Sequence, residues 1–161
     1  MAATSVAISE VRELAHRYAV ALDSRDLDGL VDLFVPDVHV GRDASGRDAL
    51  REFFERSLAD LGVTYLFVGT QTVDLDDADH AHGVVYCRAE VEDRREGWVH
   101  QAIVYFDTYE RRDGRWLFAR RDHRLVYGET QPASPLDQPP ANWPERPVGR
   151  GTFPEDWSAR R

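Results

Sequence analysis

Four runs rich in Val, Tyr, Phe and Trp, Val63–Leu75, His82–Val91, Trp98–Glu110 and Arg115–Tyr127, follow one another with short polar connections between them. The connections are Asp76-Asp77-Ala78-Asp79, Glu92 to Gly97, and Arg112-Asp113-Gly114. β-Branched and aromatic residues favour the pleated surface of a sheet. Connections this short return the chain antiparallel, and the Asp113-Gly114 step is a strong hairpin signal. The second half of the chain is therefore constrained to an antiparallel sheet of consecutive hairpins.

The first half reads as helical. Val11, Leu14, Ala15, Tyr18 and Leu22 recur at helical spacing, which predicts a helix from about Ile8 to Leu22, with residues 1–7 loose. Leu27, Leu30, Val31 and Phe34 form the stripe of a second helix, capped by Asp26 and closed by Pro36. Val38 and Val40 alternate with Asp37, His39 and Gly41 as in a short strand, with His39 on the face away from the valines. Ser45 and Asp48 have the spacing of a capping box, opening a third helix along Leu50, Phe53, Phe54, Leu58 and Leu61, with Gly62 as its C-terminal cap. Helices first and hairpins afterwards predict an α+β domain with the helices on one face of the sheet.

The stretch after about Glu129 differs from both halves. It holds seven of the eight prolines and two of the four tryptophans. Proline interrupts ladders, so the division expected is a domain over residues 1–128 and an extended Pro- and Trp-rich tail over 129–161. Trp143, Phe153 and Trp157 predict that the tail wraps the domain or a neighbouring subunit.

Composition narrows the function. A net charge of -9 argues against a nucleic-acid or anionic-membrane partner, because phosphate recognition needs a basic footprint. Cys87 is the single cysteine, so no intrachain disulfide and no paired-cysteine metal or redox site can form. No apolar run approaches a membrane span, and no basic segment followed by an apolar one opens the chain. The expected setting is cytoplasmic. His80 and His82 beside Asp76, Asp77 and Asp79 fall at a hairpin end and read as turn residues, so no metal is assigned. There is no Gly-rich phosphate loop and no nucleophile elbow, and no cofactor is expected.

Two stretches resemble a known family. His16-Arg17-Tyr18 through Asp26-Leu27-Asp28-Gly29-Leu30 to Phe34, followed by Gly46-Arg47-Asp48-Ala49-Leu50-Arg51-Glu52-Phe53-Phe54, is similar to the N-terminal half of ketosteroid-isomerase-type proteins. Tyr105-Phe106-Asp107-Thr108-Tyr109 through Trp116 to Arg121 resembles the SnoaL-like branch of the nuclear transport factor 2 superfamily, which includes scytalone dehydratase, bile-acid dehydratase and lindane dehydrochlorinase. The resemblance covers about residues 8–127. It implies a cone-shaped α+β roll, with three N-terminal helices packed in a strongly curved antiparallel sheet. It also implies a mostly apolar pocket and assembly as a homodimer or homotrimer.

The resemblance also implies roles. Tyr18 matches the tyrosine that donates to the substrate oxygen in isomerases and is catalytic in dehydratases. Asp23 matches the aspartate that pairs with a catalytic histidine, and Asp107 the protonated aspartic acid of the isomerase oxyanion hole. Two bases of the family are missing. Arg42, or Asp43 with a shift of one, stands where the isomerase has its proton-shuttling aspartate. Phe67 stands where the dehydratases have their histidine.

Alternation along the strands completes the expected pocket. If Tyr105 and Asp107 face inward, Arg121, His123 and Leu125 share one face of the last strand. Val85, Cys87 and Ala89 share one face of the second strand, and Tyr65 and Phe67 one face of the first. The expected catalytic set is Tyr18, Asp23, His123, Arg121 and Asp107. The expected substrate-binding set is Tyr65, Phe67, Cys87, Ala89, Tyr105, Leu125 and Phe54. In this reading His123, oriented by Asp23, abstracts a proton next to a carbonyl, Tyr18 polarises the oxygen, and Arg121 stabilises the charge that develops. Asp107 fits a structural ion pair with Arg121 as well as it fits a functional role, and His123 fits an exposed sheet position as well.

The function expected is a cofactor-independent lyase or isomerase of the dehydratase or cyclase kind, acting on a hydrophobic cyclic or polyketide-like small molecule. A non-catalytic ligand-binding member of the fold is one alternative. An assembly subunit like the small subunit of ring-hydroxylating dioxygenases is another.

Overall fold

The computed structural model describes residues 2–152. Helix α1 spans Ala2–Asp23, so residues 2–7 are helical rather than loose. Ala2, Ala3 and Ala7 are strong helix formers, and neither Gly nor Pro interrupts the stretch. Its apolar stripe is sealed: Val11, Leu14, Ala15 and Tyr18 are 0–7 % exposed. Helix α2 spans Leu27–Asp32, and the Asp26 carboxylate accepts from Gly29 N at 2.9 Å, the cap expected there. Phe34 then leaves the helix to bridge Phe118 in parallel, with Val35 N donating to Phe118 O at 2.9 Å.

A short ribbon follows, β1 (His39–Val40) paired with β2 (Ala44–Ser45), and then α3 (Arg47–Leu58). The expected capping box does not form. Ser45 is held in β2 opposite His39, and Gly46, at φ +94°, takes the N-cap position without a side-chain bond. The far end differs too. The helix stops at Leu58, and Leu61 and Gly62 already belong to the first long strand.

Strands β3 (Leu61–Leu75), β4 (His80–Asp93), β5 (Gly97–Arg112) and β6 (Arg115–Thr130) form one antiparallel sheet in chain order. Asp113 and Gly114 both have positive φ, 51° and 78°, as a two-residue hairpin with the strands' twist requires. Register breaks at Val68/Gln71, Ala102/Ile103 and Thr108/Tyr109 are β-bulges, which bend strands. The inner face carries Val85, Cys87, Ala89, Ile103, Tyr105 and Tyr109 and shares one core with the helices. This is the expected α+β cone.

Pairing register overturns one face assignment. Leu66 lies opposite Ala89, and Val68 opposite Cys87. Paired residues share a face, so with Cys87 and Ala89 buried, Leu66 and Val68 point inward. Phe67, opposite Arg88, and Tyr65, opposite Glu90, lie on the outer face at 62 % and 58 % exposure. Leu125 pairs with buried Ile103 but is itself 52 % exposed, in a stretch of β6 where every residue from His123 onward is exposed.

The chain beyond β6 first extends the ladder, with Gln131 N donating to Trp98 O at 2.7 Å. It then runs through a 3-10 turn at Pro135–Asp137, capped by Ser134. Trp98 is 5 % exposed, and residues 131–135 and Gln138 border a space of about 530 Å³ beside it. The tail thus folds over the domain near Trp98. Trp143 is 77 % exposed in the single chain, so the domain itself does not cover it. Phe153 and Trp157 lie outside the described residues.

Candidate functional site

A cavity of about 640 Å³ opens between α1, α3, the β1 segment and strands β5 and β6. Phe34, Val38, Val40, Leu50 and Phe54 supply apolar wall, and Tyr18, Tyr105, Arg121 and His123 supply polar groups, with His39, Arg120 and Asp122 also lining the cavity. Tyr18 sits at the hub of four rings, meeting Phe34, Phe54, Tyr105 and Phe118 edge-on at centroid distances of 6.0–6.4 Å. That packing holds the phenol in place without using its hydroxyl.

Arg121 is the charged centre. Its Nε donates to Asp107 Oδ1 at 2.9 Å and its Nη2 to Asp107 Oδ2 at 2.7 Å, a bidentate pair. The two side chains are 5 % and 0 % exposed. The guanidinium carbon lies 4.4, 4.1 and 4.4 Å from the ring centroids of Tyr18, Tyr105 and Phe118. Burial alone would lower the Arg121 pKa, but the hydrogen bonds and charge of Asp107 outweigh it and the pKa is raised. A third donor, Tyr109 Oη, reaches Asp107 Oδ2 at 3.0 Å.

Three donors belong to residues that line this cavity. Among the described residues, Tyr18 Oη, Tyr105 Oη and Arg121 Nη1 have no hydrogen-bond partner. The sealed, unpartnered polar atoms of the interior are instead Gln71 Nε2 and Trp116 Nε1. The three donors therefore open onto the cavity that their residues line. Burial pushes the Tyr18 pKa up to about 12 against the pull of Arg121, and it raises Tyr105 as well, so both phenols keep their protons. His123 stands at the mouth, its ring 5.4 Å from that of Tyr105. Partial burial, seconded by the charge of Arg121, lowers its pKa and favours the neutral imidazole.

The expected residues sort into those that meet and those that do not. Tyr18, Tyr105, Arg121, His123 and Phe54 line one cavity. Asp107 is not on the cavity wall but stands behind Arg121, both oxygens accepting hydrogen bonds from Arg121 and Tyr109. Asp23 is not part of the cavity wall. Its Oδ1 accepts from Thr64 Oγ1 at 2.8 Å and its Oδ2 from Leu66 N at 2.9 Å, tying the end of α1 to β3. Burial raises its pKa, opposed by those two bonds. Arg25, at φ +60°, reinforces the tie through Thr64 Oγ1 at 2.9 Å and through Gly62 O. The expected orientation of His123 by Asp23 is thus not what the structure holds. Cys87 and Ala89 are buried core beside the site, not cavity wall, and burial pushes the Cys87 thiol up to about 11. Tyr65 and Phe67, on the outer face, and Leu125, past the cavity, are not wall residues either.

The wall residues missed in sequence include Phe34, Val38, Leu50 and Ala119, and also His39, which was expected on the face away from the valines. Leu50 shares the apolar stripe of α3 with Phe54, a signal that was available. Phe34 depends on its bridge to Phe118, which no local pattern announces. Among the described residues no three His, Cys, Asp or Glu side chains are grouped to hold a metal ion, and no helix is long and apolar enough to cross a membrane.

A SnoaL-like domain profile matches residues 3–122. The chain belongs to the SnoaL-like family. No curated protein sequence matches it significantly. Solved structures similar to this SnoaL-like domain include a scytalone dehydratase candidate from Novosphingobium aromaticivorans DSM 12444, 23% identical at a TM-score of 0.71 over 82% of this chain and 92% of that one. Hexachlorocyclohexane dehydrochlorinase LinA-type3 from Novosphingobium barchaimii LL02 is 17% identical at 0.74, over 82% and 94%. A dehydratase candidate of the NTF2-like family from Streptomyces avermitilis is 16% identical at 0.63, over 77% and 99%. At these identities the likeness establishes a shared fold.

Proposed function

We propose that this SnoaL-like domain is a cofactor-independent lyase or isomerase that moves a proton next to the carbonyl of a hydrophobic, cyclic or polyketide-like molecule. The observation that carries the reading is the trio of unpartnered donors, Tyr18 Oη, Tyr105 Oη and Arg121 Nη1, at the end of an apolar cavity. Donors fixed before the reaction, in a site shielded from water, stabilise an oxygen as it gains charge. Neutral His123 takes the proton from the carbon beside the carbonyl, and the electron pair of that C–H bond moves to the oxygen as an enolate. Return of the proton to another carbon completes an isomerisation. Expulsion of a β-hydroxyl, protonated as it leaves, completes a dehydration. Two structural neighbours carry the names of a dehydratase and a dehydrochlorinase, and both names denote eliminations, which supports this class.

Assembly belongs to the same proposal. Tyr65, Phe67, Tyr86 and Phe106 leave 51–62 % of their surface exposed on the outer face of the sheet. A patch of that kind suits an interface, and the chain forms a homodimer or homotrimer through it. The single thiol, buried Cys87, fits a reducing cytoplasmic setting.

The test is proton exchange into a probe ketone. 2-Tetralone is incubated with the protein in D2O, and loss of its α-proton signals is followed by NMR. The wild type accelerates exchange over buffer, and Tyr18→Phe and His123→Ala each remove most of that acceleration. Binding of the probe with exchange no faster than in buffer would favour a non-catalytic binder.

A further inference from the structure

We propose that Tyr109 is a positioning residue, whose hydroxyl fixes the Asp107 carboxylate and through it the reach of Arg121 into the cavity. The proposal rests on the reading of Arg121 as an oxygen donor. Tyr109 is 1 % exposed and is not part of the cavity wall, so it cannot touch a ligand directly.

The geometry begins with the bulge in β6. Asp107 pairs with Arg121 and Thr108 with Arg120, but Tyr109 pairs with Phe118, so Ala119 is passed over. On a regular strand, residues 118 and 121 would face opposite sides, since faces alternate. The extra residue lets both Phe118 and Arg121 point inward. Their meeting is direct, with the guanidinium carbon 4.4 Å from the Phe118 centroid. Tyr109 lies tilted on the same Phe118 ring at 5.4 Å. Phe118, 0 % exposed, is thus the common floor for the phenol and the guanidinium.

Two bonds between Arg121 and Asp107 fix these groups relative to each other, and the rings of Tyr18, Tyr105 and Phe118 bracket the guanidinium. The bond from Tyr109 Oη to Asp107 Oδ2 at 3.0 Å supplies the third anchor. Burial raises the Tyr109 pKa, helped by the negative charge of Asp107, so the phenol stays a donor across the working pH range. With Nε and Nη2 held by Asp107, the free Nη1 has one direction left, toward the cavity.

The experiment uses Tyr109→Phe, which removes one oxygen and keeps the ring. Two probes are titrated, 4-nitrophenol at a pH where it is ionised, and 4-nitroanisole, the same ring without an ionisable oxygen. Loss of one anchoring hydrogen bond weakens binding of the phenolate by about two- to tenfold. Affinity for 4-nitroanisole is retained, and the 15N signal of Arg121 Nε–H shifts or broadens. Equal losses for both probes, or no loss for either, would overturn the positioning role and leave Tyr109 as packing. If the wild type does not prefer the phenolate, and Tyr18→Phe does not change the comparison, the oxygen-donor reading itself has failed. The Arg121 signal still decides Tyr109 in that case, since an unchanged signal in Tyr109→Phe rules the anchoring out.

Discussion

Asp107→Asn is the sharpest test of how the site is built. The substitution keeps the shape of the side chain and removes its charge. Arg121, with a side chain 5 % exposed and clamped between aromatic rings, then carries a buried positive charge without its counterion. Breaking a buried pair by removing one partner costs about 3–5 kcal/mol. At roughly 2–4 °C per kcal/mol for a chain of this size, the melting midpoint falls by about 6–20 °C. Urea titration of both proteins, with equal slopes, gives the free-energy difference directly. A loss below about 1 kcal/mol, the worth of an exposed ion pair, would refute the reasoning. Arg17–Glu13 is such a pair here, at 65% and 54% exposure. The double variant Asp107→Asn with Arg121→Met should recover part of the loss, because the stranded charge is gone.

Asp23→Asn loses an acceptor for Thr64 or Leu66 and costs about 1–3 kcal/mol, yet leaves affinity for 4-nitrophenol unchanged; a lost affinity would return Asp23 to the ligand site. Because burial raises the folded-state pKa of Asp23 above 3.8, the native protein binds that proton more readily than the unfolded chain, so this group's contribution to stability falls as pH rises through that window, a slope that Asp23→Asn should lack in urea titrations. His123 has the opposite sign: its native pKa is lowered from 6.5, so the unfolded chain takes the proton first, and stability drops as pH falls below 6.5; His123→Gln should flatten that drop. Truncation after Thr130 removes the strap beside Trp98 and should shift tryptophan emission to the red; unchanged emission would mean that the strap does not shield it.

The fold was legible because its signals are local and repeated. The helical stripe through Val11, Leu14, Ala15 and Tyr18 needs only periodicity, and the Asp113-Gly114 hairpin needs only two residues with positive φ. The core of the site was legible in part. Tyr18 sits on the face that helical periodicity predicts, Tyr105 faces inward as the family resemblance implies, and Arg121 and His123 share the face that alternation along β6 gives them. The errors have one physical origin, the relation between neighbouring strands. Assigning Tyr65 and Phe67 inward together with Cys87 and Ala89 needs a register shifted by one from the real one, Phe67 with Arg88. A slip of one residue exchanges every side chain between faces, and nothing within β3 alone reveals it. The bulge at Ala119 is equally silent in sequence, though it brings Phe118 and Arg121 to one side.

That register has a consequence for chemistry. The inward residues of β3 near Asp23 are Thr64, Leu66 and Val68, none of which can carry a proton at neutral pH. An aspartate at the end of α1 therefore has no base to orient. Its carboxylate instead closes the gap between α1 and β3, accepting from a hydroxyl and a backbone N–H, with Arg25 alongside. Burial that raises the Asp23 pKa adds a cost that a clamp can bear but gives no catalytic return there. In the proposed reaction proton transfer comes from the side of the cavity where β5 and β6 place Tyr105, Arg121 and His123 with Tyr18. The domain has the cone and the first-helix tyrosine, and the proposed chemistry lies along the edge strand. Changes along β6, from Phe118 to His123, should therefore alter turnover more than changes along β3. A variant such as Leu66→Met, which repacks the β3 wall without touching the donors, is the control: loss of 2-tetralone exchange in a stably folded Leu66→Met protein would place the chemistry back on the first long strand.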